Sequence, residues 1–344
     1  MEKKKQIRKI LVLKMLFLLA ILGVIVKVFY GNYKDILAQL KELTMASFAL
    51  LLFCSIFYNI IEGLCYYTMG RRYHKKFRIR DGIGCSYYCA FFKLSTLGSG
   101  TAISGMYYLN EYRVPPAKSF GMITVNYMLQ KVGVAIFCIL GFITHIPEME
   151  RYYHKYFMFV VFGIIATAFV AIGLLILILW EKLHNFVISF GLKIFKNQKI
   201  TEKINMLSEY LSNVRSESGE MVKDKAFMSK LLALNVLKYI GWYSIPCVIL
   251  KYDTPEKIFL GVSIMALASA LISVIPSPGA VGSTEGMVYV MFLSVSNDVK
   301  AFTIMLLYRC FTYIVPFLIG GIFIVIKKMI SVVKNKKIGY NGTI

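Results

Sequence analysis

The chain has 344 residues, 58% of them hydrophobic and only 17% charged, with a formal net charge of +22 and a mean hydropathy of +0.64. Soluble domains carry about 25% charged residues, so this composition excludes an ordinary soluble enzyme and places the chain in a membrane. The basic excess does not indicate nucleic-acid binding, because the Lys and Arg residues are spread over the connections between apolar runs, where positive-inside topology and anionic headgroups favour them.

Taken in chain order, a basic head, MEKKKQIRK, precedes an apolar run at 10–30. The run is long for a signal peptide, and the following FYGNYKD offers no small-residue cleavage site, so it reads as a retained anchor. Lys14 and Lys27 lie near its ends and can snorkel to the interface. Further spans of the ~20 residues that cross a bilayer are expected at 45–70, 119–143, 157–180, 230–250 and 300–326, with two shorter irregular segments at 82–104 and 258–296. The expected fold is an all-α polytopic integral membrane protein, with about six full transmembrane helices plus two re-entrant or broken segments. One transmembrane domain covers 1–330, 181–230 is a cytoplasmic connection within it, and 331–344 is a basic cytoplasmic tail.

Orientation follows from charge. The head, RRYHKKFRIR (71–80), 105–118, 181–230 and the residues after 326 together hold 27 Lys and Arg, against 7 in 31–44, 144–156, 251–257 and 297–300. That split puts both termini in the cytoplasm. It requires each irregular segment to return to the side it entered, as a re-entrant hairpin does; two full crossings in each is the alternative.

The seven cysteines all lie in apolar stretches, in an odd number and without a C-x-x-C pair, and none of the four histidines forms H-E-x-x-H. Neither a disulfide framework nor a metal is expected, and no cofactor is. No P-loop pattern is present, which argues against direct use of ATP.

The irregular segments carry the chemistry. VIPSPGAVGSTEGMVYVMF (274–292) contains Pro276 and Pro278, which terminate a helix, and Gly279 and Gly282, which permit tight turns. Glu285 follows in the first turn of the next helix, where negative charge is favoured. KLSTLGSGTAISGMYYL (93–109) contains glycines 98, 100 and 105, and its SGMYYL echoes EGMVYV at 285–290. Non-helical backbone at membrane depth is tolerated only where it is buried in protein or lines a water-filled cavity, and paired broken segments in inverted halves point to a transport site near the midplane. The ionisable residues inside apolar runs are Glu62, Lys93, Lys131, Lys238, Glu285 and Arg309. Glu285 and Arg309 fall on consecutive elements and are expected to pair or to line one polar cavity together. A buried ion pair without a transport role is the alternative.

These residues resemble a known family. Pro276, Pro278, Gly279, Ala280, Gly282 and Glu285 are similar to the P-x-P-G-G-x-G-x-x-E pattern of the lysylphosphatidylglycerol synthase transmembrane, flippase-like family. YRCFTYIVPFLIGG supplies Arg309, Thr312, Tyr313, Pro316 and Gly320 of its downstream pattern. The upstream segment is similar but departs at Thr101, Ala102, Ile103 and Gly105, and Ala280 replaces the second Gly. The resemblance implies a multi-pass protein of the bacterial plasma membrane that handles lysylphosphatidylglycerol, phosphatidylglycerol or another anionic phospholipid between leaflets, with a link to cationic antimicrobial peptide resistance. The family name gives as an alternative a phosphatidylglycerol lysyltransferase using lysyl-tRNA, and the sequence is also compatible with a membrane scaffold without transport. Only about 18 residues follow the last expected span, so a separate synthase protein is the expected partner for any lysyl transfer. The candidate substrate-binding residues are Glu285, Arg309, Pro276, Pro278, Gly279, Gly282, Tyr313, Gly100, Lys93, Lys131 and Lys238. The cations would attract phosphate and Glu285 an amine.

Overall fold

The computed structural model describes residues 38, 41, 43–154, 157–179, 219, 221–275 and 277–340. The expected span at 10–30 with Lys14 and Lys27, most of the 181–230 connection, and Pro276 lie outside the described residues.

The elements are α1 (Met45–Tyr73), α2 (Ile79–Ser95), α3 (Thr101–Asn110), α4 (Pro116–Thr144), α5 (Ile146–Tyr153), α6 (Phe157–Leu179), α7 (Lys225–Tyr243), α8 (Ile245–Ile249), α9 (Pro255–Val274), α10 (Ser283–Leu293), α11 (Asp298–Arg309) and α12 (Val315–Tyr340). A 3-10 turn at Pro278–Ala280 and a π-helical turn at Cys310–Ile314 interrupt the series. No strand occurs among the described residues. Met45–Tyr73, Lys118–Thr144, Lys225–Ile249, Pro255–Ser273 and Asp298–Ile330 are each long and apolar enough to cross a bilayer, and α6 adds 23 residues with no charged side chain. The chain is an all-α, multi-pass membrane protein.

Local sequence sets the helix starts. Thr44, Asp224, Thr254 and Asn297 each accept a hydrogen bond from the backbone N–H three residues on, which satisfies a donor that the helix itself cannot. At the start of α7, Arg72 also donates to Asp224 at 2.8 Å and holds that carboxyl below the usual carboxylate range.

The broken segments differ from expectation in proportion. The first limb of 258–296 is the full 20-residue helix α9, long enough to span, whereas its return limb α10 has 11 residues. The apolar run from Phe259 to Val274 sustains a complete helix, and the break is confined to the Pro/Gly cluster after it. Segment 82–104 likewise divides into the 17-residue α2 and the 10-residue α3. Residues 331–340, expected as a tail, continue α12.

Helix α1 packs against α2 and α7, α2 against α12, and α4 against α6, α7 and α9. Small residues permit the closest approach, as expected where no hydrophobic effect separates helix from lipid. A Cβ on Gly82 in α2 would fall on the Gly63 carbonyl oxygen of α1. One buried cluster centres on α7 to α11, the other on α1 to α4. On the outside, Phe53, Phe162, Phe169, Leu318 and Val325 are each more than half exposed. An apolar exterior of this kind belongs against lipid tails.

Candidate functional site

The two broken segments meet. Gly98 (φ 84°) and Gly279 (φ 64°) both occupy the left-handed region, and a Cβ built on Gly98 would stand 2.9 Å from the Gly279 Cα. On Gly279 it would stand 2.9 Å from the Leu97 carbonyl carbon. Neither position accepts a side chain without moving the other. Leu97 (φ 50°) and Ala280 (φ 56°) share the left-handed conformation without being glycines, so the junction stores strain that its surroundings must hold.

Arg309 and Glu285 provide much of that hold. Arg309 Nε donates to Glu285 Oε1 at 2.6 Å, and Nη2 donates to Glu285 Oε2 at 3.1 Å and to the Ala280 carbonyl at 2.7 Å. Gly282 N–H donates to Glu285 Oε2 at 2.7 Å, so the carboxylate caps its own helix as well. Both side chains are nearly buried, at 12% and 13% exposure. The guanidinium lies 3.9 Å from the Tyr313 ring centroid, and the Tyr313 hydroxyl donates to the Gly279 carbonyl at 3.2 Å. The expected pairing of Glu285 with Arg309 is present, and it staples the break to α11 and the π turn.

The π turn has a sequence cause. Pro316 carries no N–H to give to the carbonyl of Thr312, and in a regular helix its ring would clash there. The helix widens instead, with Val315 N–H bonded to the Cys310 carbonyl, and the Phe311 carbonyl accepts the Ser55 hydroxyl of α1 at 2.5 Å. Such single π turns recur at functional sites.

Beside this junction is a cavity of about 580 Å³, walled by α1, α2, α4, the first break and the π turn. Its polar lining includes Asn59, Glu62, Lys93, Ser99, Thr101 and Gln130, and its apolar lining includes Ala102, Phe120, Ile123 and Trp242. Lys93, at the end of α2, has its ammonium 4.4 Å from the Tyr313 ring centroid and 5.2 Å from that of Trp242. Among the described residues it has no carboxylate partner. It is thus a cation held at a cavity wall by aromatic faces.

Glu62 lines the same cavity from α1 and anchors a network across three helices. Lys238 Nζ of α7 donates to its Oε2, and Asn126 and Gln130 of α4 donate to its Oε1 at 3.2 and 3.4 Å. Asn235 extends the network by donating to Asn126 Oδ1 at 3.0 Å. Lys238 is fully buried, whereas Glu62 retains 12% exposure.

Of the candidate residues, Lys93 and Tyr313 border the cavity, and Glu285, Arg309, Gly279 and Gly282 form the adjoining staple. Gly100 stands at the N-cap of α3, and its N–H donates to the Thr96 hydroxyl oxygen at 2.7 Å. Pro278 opens the 3-10 turn, and Pro276 lies outside the described residues. Lys238 is not on the cavity surface but behind Glu62. Lys131 sits half-buried over the Tyr127 ring at 5.2 Å, outside the cavity lining. Glu62 and Trp242 are among the lining residues that the sequence did not single out as binding. A lone carboxylate within an apolar run was the available signal for Glu62.

The family model described as Lysylphosphatidylglycerol synthase TM region matches residues 11–320, and no curated protein matches the chain.

Proposed function

Because the chain belongs to the lysylphosphatidylglycerol synthase TM region family, a family of membrane proteins tied to the lysylphosphatidylglycerol pathway, we propose that its cavity takes up the headgroup of an anionic phospholipid and passes it between leaflets of the bacterial plasma membrane. The observation that carries this is Lys93, a cavity-lining ammonium held by two aromatic faces with no carboxylate partner among the described residues. A phosphate is the complement of such a group. Asn59, Ser99, Thr101 and Gln130 supply hydrogen-bonding groups for a glycerol or aminoacyl moiety, and Phe120 and Ile123 offer an apolar wall toward the acyl chains.

In this mechanism Arg309 and Glu285 do not touch lipid. Both Glu285 oxygens and the Nε and Nη2 of Arg309 are taken up by each other and by backbone, while Arg309 Nη1 is buried without a hydrogen-bond partner among the described residues, and together the two side chains keep the broken backbone from collapsing into the path. Both termini face the cytoplasm. Movement of a lysyl lipid to the outer leaflet lowers the negative surface charge that draws cationic peptides.

Trp242 offers a test, since it lines the cavity beside Lys93 and the chain has only one other tryptophan, Trp180. In a Trp180→Phe background, phosphatidylglycerol carrying a headgroup nitroxide is expected to quench Trp242 saturably, with unlabelled lipid competing. Lys93→Ala is expected to weaken this by about tenfold or more, the loss of a charge-assisted contact. Quenching that is absent, or indifferent to Lys93→Ala, removes the cavity as the headgroup site.

A further inference from the structure

The pair behind the cavity has no part in holding the break, and a membrane interior does not retain a buried ion pair cheaply. Lys238 is fully buried and, among the described residues, its ammonium has one carboxylate, Glu62, while Glu62 faces both Lys238 and the cavity. The pair is joined physically to Lys93. Lys238 Nζ lies 5.5 Å from the Tyr58 ring centroid, Tyr58 stacks on Trp242 with centroids 3.4 Å apart, and Lys93 sits over Trp242.

We infer that Glu62 is a proton-binding site coupled to occupancy of the Lys93 pocket by an anionic headgroup; this rests on the headgroup site proposed above. With the cavity empty, protonating Glu62 leaves the Lys238 ammonium buried without a counter-charge. With a phosphate at Lys93, the Glu62 carboxylate faces a like charge across the cavity, and the phosphate can take its place as counter-charge to Lys238. A proton from cavity water then adds to a Glu62 oxygen, and the anion faces the Lys93 ammonium on the wall with the Lys238 ammonium behind it. One proton therefore enters with the headgroup and leaves with it.

Other titratable groups face Glu62. They are Tyr58, Cys65 and Tyr66 from α1, Cys85 and Cys89 from α2, Lys238 and Tyr239 from α7, Tyr127 from α4 and Tyr313 from the π turn. Phenols, thiols and ammonium groups ordinarily titrate on the alkaline side. Glu62 is the carboxylate in this set.

The test is phosphatidylglycerol binding, read by Trp242 quenching from about pH 8 to about pH 5, with proton uptake followed in weak buffer. A phosphodiester is the right probe, because a phosphomonoester would itself titrate near about pH 6. Wild-type affinity is expected to rise as pH falls, with a limiting slope of about tenfold per pH unit for one linked proton, and binding is expected to take up a proton. Glu62→Gln is expected to bind at alkaline pH as tightly as the wild type does at acid pH, with no slope and no uptake. A merely structural role for Glu62 predicts weaker binding instead. Should that variant fold poorly, Glu62→Gln/Lys238→Met removes both charges and is expected to be equally flat. A slope or uptake that persists in either variant, or a wild type with neither, overturns the coupling while leaving the headgroup site standing. Absence of wild-type binding at every pH overturns both.

Discussion

Arg309→Ala is expected to lower the stability of the folded protein by about 3–5 kcal/mol, the range for removing one partner of a buried ion pair. The substitution leaves Glu285 nearly buried with only the Gly282 N–H, frees the Ala280 carbonyl, and strips the guanidinium from the Tyr313 face. All three losses fall on the junction where Leu97 and Ala280 hold left-handed backbone, so strain there is released as unfolding of the break. Arg309→Lys keeps the charge but cannot reproduce the forked contact to Glu285, and an intermediate loss of about 1–3 kcal/mol is expected. Thermal unfolding in detergent measures this. A melting point for Arg309→Ala equal to that of the wild type would show that the pair does not brace the break.

The second large effect is an asymmetry across the Glu62–Lys238 pair. Glu62→Ala leaves an ammonium at 0% exposure facing the rings of Tyr58 and Tyr239 with no carboxylate partner among the described residues, and a loss of about 3–5 kcal/mol is expected. Lys238→Met leaves a carboxylate that still accepts from Asn126 and Gln130 and borders the cavity. A loss of about 1–3 kcal/mol is expected there. The double substitution Glu62→Ala/Lys238→Met should recover most of the larger loss, because an absent pair is better tolerated than a broken one. Equal effects of the two single substitutions, or additive effects in the double, would contradict the geometry of a buried cation behind a cavity-facing carboxylate.

Much of this site could be read along the chain, and the limits of that reading have physical causes. Pro278, Gly279, Gly282 and Glu285 fall within a few residues of one another, and Arg309 lies on the next long helix. Their pairing is therefore a matter of neighbouring elements, which sequence order conveys. The Glu62–Lys238 pair joins α1 to α7 across 176 positions, and no periodicity announces such a contact. Lys238 accordingly appeared as a headgroup ligand although its charge is turned to Glu62. Lys93 was recognisable as a charge in an apolar run, but its seat between Tyr313 and Trp242 depends on the packing of α2, α7 and the π turn. Helix α9 was underestimated because the prolines and glycines at its end weighed on the whole segment, although the run before them is an uninterrupted helix of 20 residues.

The most direct measurement is translocation of fluorescent phosphatidylglycerol and lysylphosphatidylglycerol in vesicles that contain only this purified protein, comparing wild type with Lys93→Ala. Lys93 makes no ion pair among the described residues, so Lys93→Ala loses its two ring contacts but breaks no buried pair, and its melting point is the check that the variant is folded. The expected result is movement of at least one of the two lipids by the wild type and its loss in the variant. Movement that continues undiminished in folded Lys93→Ala, or folded wild-type protein that moves neither lipid, would contradict a headgroup path through this cavity.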